Sequence, residues 1–252
     1  MDLLLEELYC KTIEKKELSQ VSKDLVIKVL TKILSKQNLS NLSSKDKKLF
    51  VKKAREELRD YVGRFQYPKE RKSLLAKKNW EKLLNTHSST KERLLFYPQV
   101  IELVYSLNPK SILDLGCGLN PLAFAKPGII YYASDINLSD IEVVESYFED
   151  KKIEGSVFPL DITSELPHLP KTDVTLMFKL LDFLEKKSKG LSERILKLIP
   201  SKTIIVSFSS RKLSGKRMNH PQREWFERMC TRLGFSFEVK EFDSEIFYLI
   251  TK

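Results

Sequence analysis

SILDLGCGLNPLAF, Ser111 to Phe124, reads as a buried strand ending at Asp114-Leu115, a tight turn through Gly116-Cys117-Gly118, and the start of a helix. Glycines at such a turn let the backbone approach a ligand at the carboxyl end of the strand, where open α/β sheets bind cofactors. Working outward, β-rich apolar runs recur at Ile130–Ser134, Ser156–Leu160, Val174–Phe178 and Thr203–Phe208, with helical segments between most of them. Parallel neighbours require that alternation. The last two runs, Phe235–Phe242 and Glu245–Thr251, are joined only by Asp243-Ser244. That leaves no room for a crossover helix, so they form an antiparallel hairpin. The expectation is an α/β doubly wound sheet of seven strands, the final one reversed, with helices on both faces.

The first third reads as helices. Residues 2–18 and 22–36 carry apolar positions at helical spacing, and Ser22 is placed to cap the second helix with Asp24 in its first turn. QNLSNLSSKD is turn-rich and ends this pair. Lys45 to Lys82 then holds 14 basic and 6 acidic residues among aromatic side chains, broken into two helices at Gly63–Pro68. Residues 1–90 contain 21 basic and 12 acidic residues, whereas the remainder is nearly balanced with 23 and 22. A chain whose excess charge sits in one third invites a polyanion there, most simply nucleic acid; the plainer reading is a solvated lysine-rich helical surface. The basic candidates are Lys47, Lys48, Lys52, Lys53, Arg71 and Lys72.

The composition, 42% hydrophobic and 31% charged with 8 Gly and 10 Pro, excludes collagenous and wholly disordered classes. No apolar run approaches the roughly 20 residues a membrane span needs, so no membrane partner is expected. MDLLLEELYCK carries acids where a signal peptide carries basic residues, and three scattered cysteines make no disulfide framework or metal site. A cytoplasmic, metal-free monomer is expected.

A nicotinamide enzyme would share the glycine turn, but Pro121 replaces the third glycine of the dinucleotide fingerprint, so no helix N-terminus is bared for a pyrophosphate. Asp114, just before the turn, repels phosphate and suits an ammonium. Asp135, closing the next strand in YYASDIN, suits the two hydroxyls of a ribose. Asp161 in PLDIT is within reach of an adenine amino group, with Ile162 covering the ring. A nucleoside bearing an amino acid is implied: S-adenosylmethionine. Any one of these acids alone is equally well read as a loop cap.

HSSTKERL (His87–Leu94), LDLGCGLNPLAF, LMFKLLDFLE (Leu176–Glu185) and SFSSRKLSGK (Ser207–Lys216) occur in this order. Together they resemble the S-adenosylmethionine-dependent guanine-N7 methyltransferases of small-subunit ribosomal RNA, the aminoglycoside-resistance methyltransferase family. The likeness covers roughly residues 60–252. It implies a class I methyltransferase Rossmann-like sheet, with an N-terminal all-helical RNA-binding domain over residues 1–86 and the methyltransferase domain over 87–252. It also implies that Arg93 holds the methionine carboxylate of the cofactor with Thr90 assisting, and that Lys179 and Leu180 edge the substrate pocket.

Other residues are read on their chemistry. Ser89 and Glu92 spell a capping box, which accounts for both without a ligand. His87 either lines the cofactor pocket or satisfies a loop backbone. Cys117 packs under the cofactor rather than acting as nucleophile, since no base is placed beside it; Gly118 and Ile136 complete the cofactor set. The resemblance makes the loop after the fifth strand a target-RNA contact carrying Arg211, Lys212, Lys216, Arg217 and Met218. That loop is shorter than usual in the family, and Asp182 stands where the family has proline. Asn219 or His220 is expected to cap the following helix, with Pro221 at its first position.

Guanine N7 carries an in-plane lone pair at neutral pH, so methyl transfer to it needs no general base and no catalytic residue is nominated. Alignment does the work, on a base drawn out of its helix and stacked on Phe178, Phe208 or Met218. The same chemistry on transfer RNA is the alternative substrate. A non-catalytic RNA-binding protein with a relic fold is the alternative class.

Overall fold

The computed structural model describes residues 2–15, 18–36, 42–62, 70–164, 166, 168–212 and 214–252. Helices α1 (Asp2–Ile13), α2 (Lys23–Leu34) and α3 (Ser44–Val62) form a three-helix unit. Leu25, Val26, Val29, Leu30 and Leu34 recur at helical spacing on α2 and are buried against Leu8, Phe50, Ala54 and Leu58. Ser22 caps α2 as expected, its hydroxyl accepting the Leu25 N–H. Such a cap is worth about 1 kcal/mol. The expected break at Gly63–Pro68 lies outside the described residues. Short helices α4 (Arg71–Ala76) and α5 (Trp80–Leu84) follow, but Leu83 and Leu84 belong to the core beside the sheet, not to the three-helix core.

The chain continues through α6 (Ser88–Arg93), α7 (Tyr97–Tyr105), β1 (Ser111–Leu115), α8 (Pro121–Phe124), β2 (Ile130–Asp135), α9 (Leu138–Lys151) and β3 (Gly155–Pro159). It ends through β4 (Val174–Phe178), α10 (Leu181–Lys187), α11 (Leu191–Leu198), β5 (Thr203–Ser209), α12 (Glu224–Arg232), β6 (Ser236–Phe242) and β7 (Glu245–Thr251). The seven strands are ordered β3-β2-β1-β4-β5-β7-β6. Five are mutually parallel, and β7 runs antiparallel to both β5 and β6. This is the doubly wound sheet with a reversed final strand that the sequence predicts.

The central strands are buried on both faces, which a parallel sheet wound by helices on both sides requires. Successive side chains alternate between two cores: Ile112, Leu176 and Ile205 face one, while Leu113, Met177 and Val206 face the other. One of the two edges is β6, where Glu238, Lys240 and Glu241 lie exposed and discourage pairing with another chain. Strand order reverses between β1 and β4, and ligands of such sheets bind at the crevice there.

The three-helix unit rests on the loop after β2. Leu138 donates its N–H to the Gln20 carbonyl (3.2 Å), Val21 bridges Asn137, and Ile136 packs against the three-helix core. Among the described residues no helix is long and apolar enough to cross a membrane.

Candidate functional site

The turn after β1 is built by backbone that only glycine adopts without strain: φ is +67° at Gly116 and +50° at Gly118. Both glycines also face close neighbours. A Cβ at Gly118 would lie 2.8 Å from His87 Nε2, and one at Gly116 would lie 3.2 Å from a Leu180 methyl. Asp135 holds this turn in place. Its Oδ2 accepts the Gly118 N–H (2.8 Å) and its Oδ1 the Asn137 N–H (2.9 Å), leaving one lone-pair direction on each oxygen. Burial, reinforced by nearby Asp140, pushes the Asp135 carboxyl up to about 6.

A cavity of about 210 Å³ opens over the carboxyl ends of β1, β2 and β4. It brings together eight of the residues singled out in the sequence: His87, Gly116, Asp135, Ile136, Asp161, Ile162, Lys179 and Leu180. Ser89 and Phe178 line it too, and so do three residues the sequence does not suggest: Asp60 and Tyr61 on α3, and Phe183 on α10. The Tyr61 ring stands edge-on to Phe183 at 5.3 Å, with the Lys187 ammonium over its face at 4.1 Å. The three-helix unit thus supplies part of the wall.

Asp114 lies fully enclosed beneath the glycine turn, outside the cavity lining. Tyr131 donates to its Oδ2 (2.9 Å), while its buried Oδ1 accepts no hydrogen bond. Burial raises the carboxyl to about 7, against the lowering effect of Tyr131. The orphaned carboxylate oxygen fits a cation held at this end of the cavity, on the far side of the glycine turn that encloses it. Cys117 is buried in the core, and burial holds its thiol well above the usual range. It is no nucleophile in this setting. His87 is likewise buried, 4.0 Å from Asp140, and burial lowers its pKa.

Several expectations are corrected. Arg93 does not present its fork to the cavity; the side chain is 1% exposed and grips Glu245 with both Nε (2.9 Å) and Nη2 (3.1 Å), while Nη1 donates to Asn120. Glu245, 152 residues away, is the carboxylate its geometry selects, and Lys179 Nζ sits 3.2 Å from the same group. Burial works against the charge on Glu245, but Arg93 and Lys179 overcome it and hold the carboxyl low. Thr90 turns its hydroxyl to the Leu84 and His87 carbonyls, so it closes a helix turn and lies outside the cavity lining. The capping box is absent, because α6 begins two residues earlier with His87 as N-cap, and Glu92 pairs with Lys179 instead. Arg71 is buried against Asp140 of α9 and is no surface contact for a phosphate. Phe208 is packed among Trp225, Phe226 and Tyr248 and leaves no face for a base.

The other basic candidates stay at the surface or near it. Lys48 and Lys52 are exposed and line a surface cavity of about 430 Å³ with Lys11, Lys15, Arg55 and Arg59. Lys53 and Lys72 are exposed, whereas Lys47 is paired with Glu7 at 2.6 Å. In the loop after β5, Arg211 and Arg217 bridge to each other and pair with Asp243 and Glu241 of the final hairpin. Lys212 and Lys216 remain exposed between them.

Arg223 organises the end of this loop. It bonds Asp182 (2.9 Å), the Ser209 and Pro221 carbonyls, and the Met218 sulfur, so Asp182 ties α10 to the loop. Tyr248 Oη accepts the Arg223 N–H, and α12 starts only at Glu224, past the expected Asn219, His220 and Pro221.

A profile of the family described as ribosomal RNA methyltransferase (FmrO) matches residues 58–249. A 16S rRNA (guanine(1405)-N(7))-methyltransferase of Serratia marcescens is 32% identical over 218 residues, 82% of this chain and 85% of that protein. One of the same name from Frankia casuarinae is 30% identical over 177 residues, 67% of this chain and 62% of its own. The chain therefore spans less than two thirds of the Frankia relative. Among solved structures, the 16S rRNA methylase RmtB superposes with a TM-score of 0.80 at 25% identity over 98% of both chains. The 16S rRNA methyltransferase RmtF, solved with S-adenosyl-L-homocysteine, gives 0.82 at 24% identity over 100% of this chain and 99% of that one.

Proposed function

The chain belongs to the FmrO family of ribosomal RNA methyltransferases, and from that premise we propose that it transfers the methyl group of S-adenosylmethionine to N7 of a guanine in 16S ribosomal RNA. The observation that carries the reading is the cavity at the β1–β4 switch point, where the glycine turn, Asp135, Ile136, Asp161 and Ile162 converge. The Serratia and Frankia relatives carry that activity in their names.

When bound, S-adenosylmethionine supplies an electrophilic methyl group on a sulfonium. The chain's own residues do the rest. Asp135 would accept the ribose hydroxyls on its free lone pairs, Ile136 and Ile162 would flank the adenine, and Asp114, enclosed beneath the glycine turn, would supply the negative charge that favours the ammonium at that end. Guanine N7 has a lone pair free at neutral pH and would take the methyl group as its bond to sulfur breaks and S-adenosylhomocysteine leaves, so no residue has to remove a proton first. Holding N7 in line with the methyl and sulfur at near-attack distance accounts for the catalysis. Phe178 lines the cavity but is buried among Phe124 and Phe247 with Arg93 over its ring, which leaves Met218, half-buried at the loop, of the three expected residues to stack on an extruded base.

Lys48 and Lys52 dock phosphates of the RNA from the three-helix unit. Replacing both by alanine is expected to weaken RNA binding and to flatten the plot of log affinity against log salt by about 1.4–1.8, one counterion term for each lysine. Binding measured from low to moderate salt checks this; an unchanged slope returns the surface to solvent. The activity itself is tested by methyl transfer from labelled S-adenosylmethionine to small ribosomal subunits and to unmodified transfer RNA, with mass spectrometry of the digested nucleosides. Seven-methylguanosine in the subunits is the expected result. Its appearance in transfer RNA alone overturns the substrate and keeps the chemistry, and no transfer to either overturns the function.

A further inference from the structure

Asp161 stands in the partition between two spaces. On one side is the cavity described above; on the other are two surface clefts lined by Lys28 of α2, which does not line the inner cavity. From that outer side the Lys28 ammonium reaches 133 residues along the chain to Asp161 Oδ2 at 2.7 Å. Its other two donor directions are taken by Thr163 Oγ1 (3.0 Å) and Ser164 Oγ (2.7 Å). Each of those hydroxyls in turn donates to Asp161, and the Thr163 N–H donates to Oδ1 (2.9 Å). The ammonium is thus fully committed, in a cage built only to face Asp161.

We propose that Lys28 is a positioning residue for the cofactor, fixing the Asp161 carboxylate so that it receives the adenine amino group. The inference rests on the proposed cofactor reading of the cavity. Two of the four donors to Asp161 are hydroxyl rotors, and Thr163 lines the inner cavity as well as one outer cleft. When that rotor turns away, Oδ1 gains a lone pair facing the ligand. The carboxylate plane then stays in place because Lys28 holds Oδ2 and a backbone N–H holds Oδ1.

Burial alone works to raise the Asp161 pKa, yet the hydrogen bonds from Lys28, Ser164 and Thr163 bring it below the usual carboxylate range. A charged, oriented acceptor is what an exocyclic amino group needs. The side chain of Lys28 is 41% exposed against 15% for Asp161, so a merely stabilising surface pair here is worth little. Orientation is the larger role this contact can have. Because α2 belongs to the three-helix unit, the adenosine end of the cofactor site is completed by the same domain that carries the basic RNA surface.

The test is calorimetric binding of two ligands to the full chain: S-adenosylhomocysteine, and S-inosylhomocysteine, in which a carbonyl replaces the adenine amino group. Wild-type protein, Lys28→Met and Lys28→Arg are compared, with melting temperatures recorded for each. Lys28→Met is expected to weaken S-adenosylhomocysteine about tenfold while leaving S-inosylhomocysteine nearly unchanged, so that discrimination between the two collapses. Lys28→Arg restores most of the preference. An unchanged affinity for S-adenosylhomocysteine overturns the inference, and so does an equal loss for both ligands, which assigns Lys28 to the fold alone. Wild-type protein that binds neither ligand overturns the cofactor reading and the inference with it.

Discussion

Arg93→Ala lowers the melting temperature by roughly 6–20 °C. Breaking a buried ion pair costs about 3–5 kcal/mol, and each kcal/mol shifts a chain of this size by roughly 2–4 °C. Glu245 is fully buried, and without Arg93 it keeps only Lys179 and the Ser207 hydroxyl as partners. The deficit depends on pH with a definite sign. In the wild type the folded pKa of Glu245 lies below its unfolded value, so the pair contributes stability above about pH 4.5 and loses it as pH falls through the folded pKa. The variant leaves a carboxyl that burial raises, so its gap to the wild type widens from pH 4 to pH 8.

Replacing both members, Arg93→Met with Glu245→Leu, recovers part of the loss, because both enclosed charges go together while Lys179 keeps Glu92 as its partner. Thermal unfolding at several pH values checks all of this. If Arg93→Ala melts like the wild type but no longer binds S-adenosylhomocysteine, the Glu245 pairing is incidental and Arg93 belongs to the ligand after all.

The two fates of Arg93 mark how far a sequence can be read. All seven strands are legible within a residue or so, because β-rich apolar runs of five to seven residues bounded by turns are too short for buried helices. The glycine turn and Asp135 are legible for the same local reason, being only 17 residues apart on adjacent strands. What escapes is partnership across the chain. Arg93 is a planar fork in search of a carboxylate, and nothing in HSSTKERL says whether that carboxylate comes from a ligand or from Glu245. Arg71 looks like one more cation in a basic stretch until α9 brings Asp140 to it.

Lys28 and Tyr61 give no signal because their roles arise only where α2 meets the loop after β3 and α3 meets α10. The displaced start of α12 has the same origin. Pro221 is a sound local signal, overruled by Tyr248, whose hydroxyl takes the Arg223 N–H that a cap at His220 would use. Local patterning specifies elements; the site is specified by which elements touch.

Asp135→Asn is expected to raise the dissociation constant for S-adenosylhomocysteine about 100-fold or more, close to 2.7 kcal/mol. Both carboxylate oxygens already accept a backbone N–H, from Gly118 and Asn137. An amide has one oxygen, so its NH₂ must face one of these donors, and the turn that carries Gly118 loses its anchor together with the ribose acceptor. The same group gives the wild type an acid limit. With its carboxyl raised to about 6, cofactor affinity falls as pH drops below that value and the acceptor becomes protonated.

Stability moves the other way. A carboxyl whose folded pKa exceeds its unfolded one favours the folded state most when protonated, so this residue's contribution grows rather than shrinks on acidification to pH 5. Affinity lost between pH 7 and pH 5 in protein whose melting temperature holds is therefore the signature of the two raised carboxyls, Asp135 at about 6 and Asp114 at about 7, titrating in an intact site. A parallel fall in melting temperature would instead mark unfolding, and would remove Asp135 as the cause.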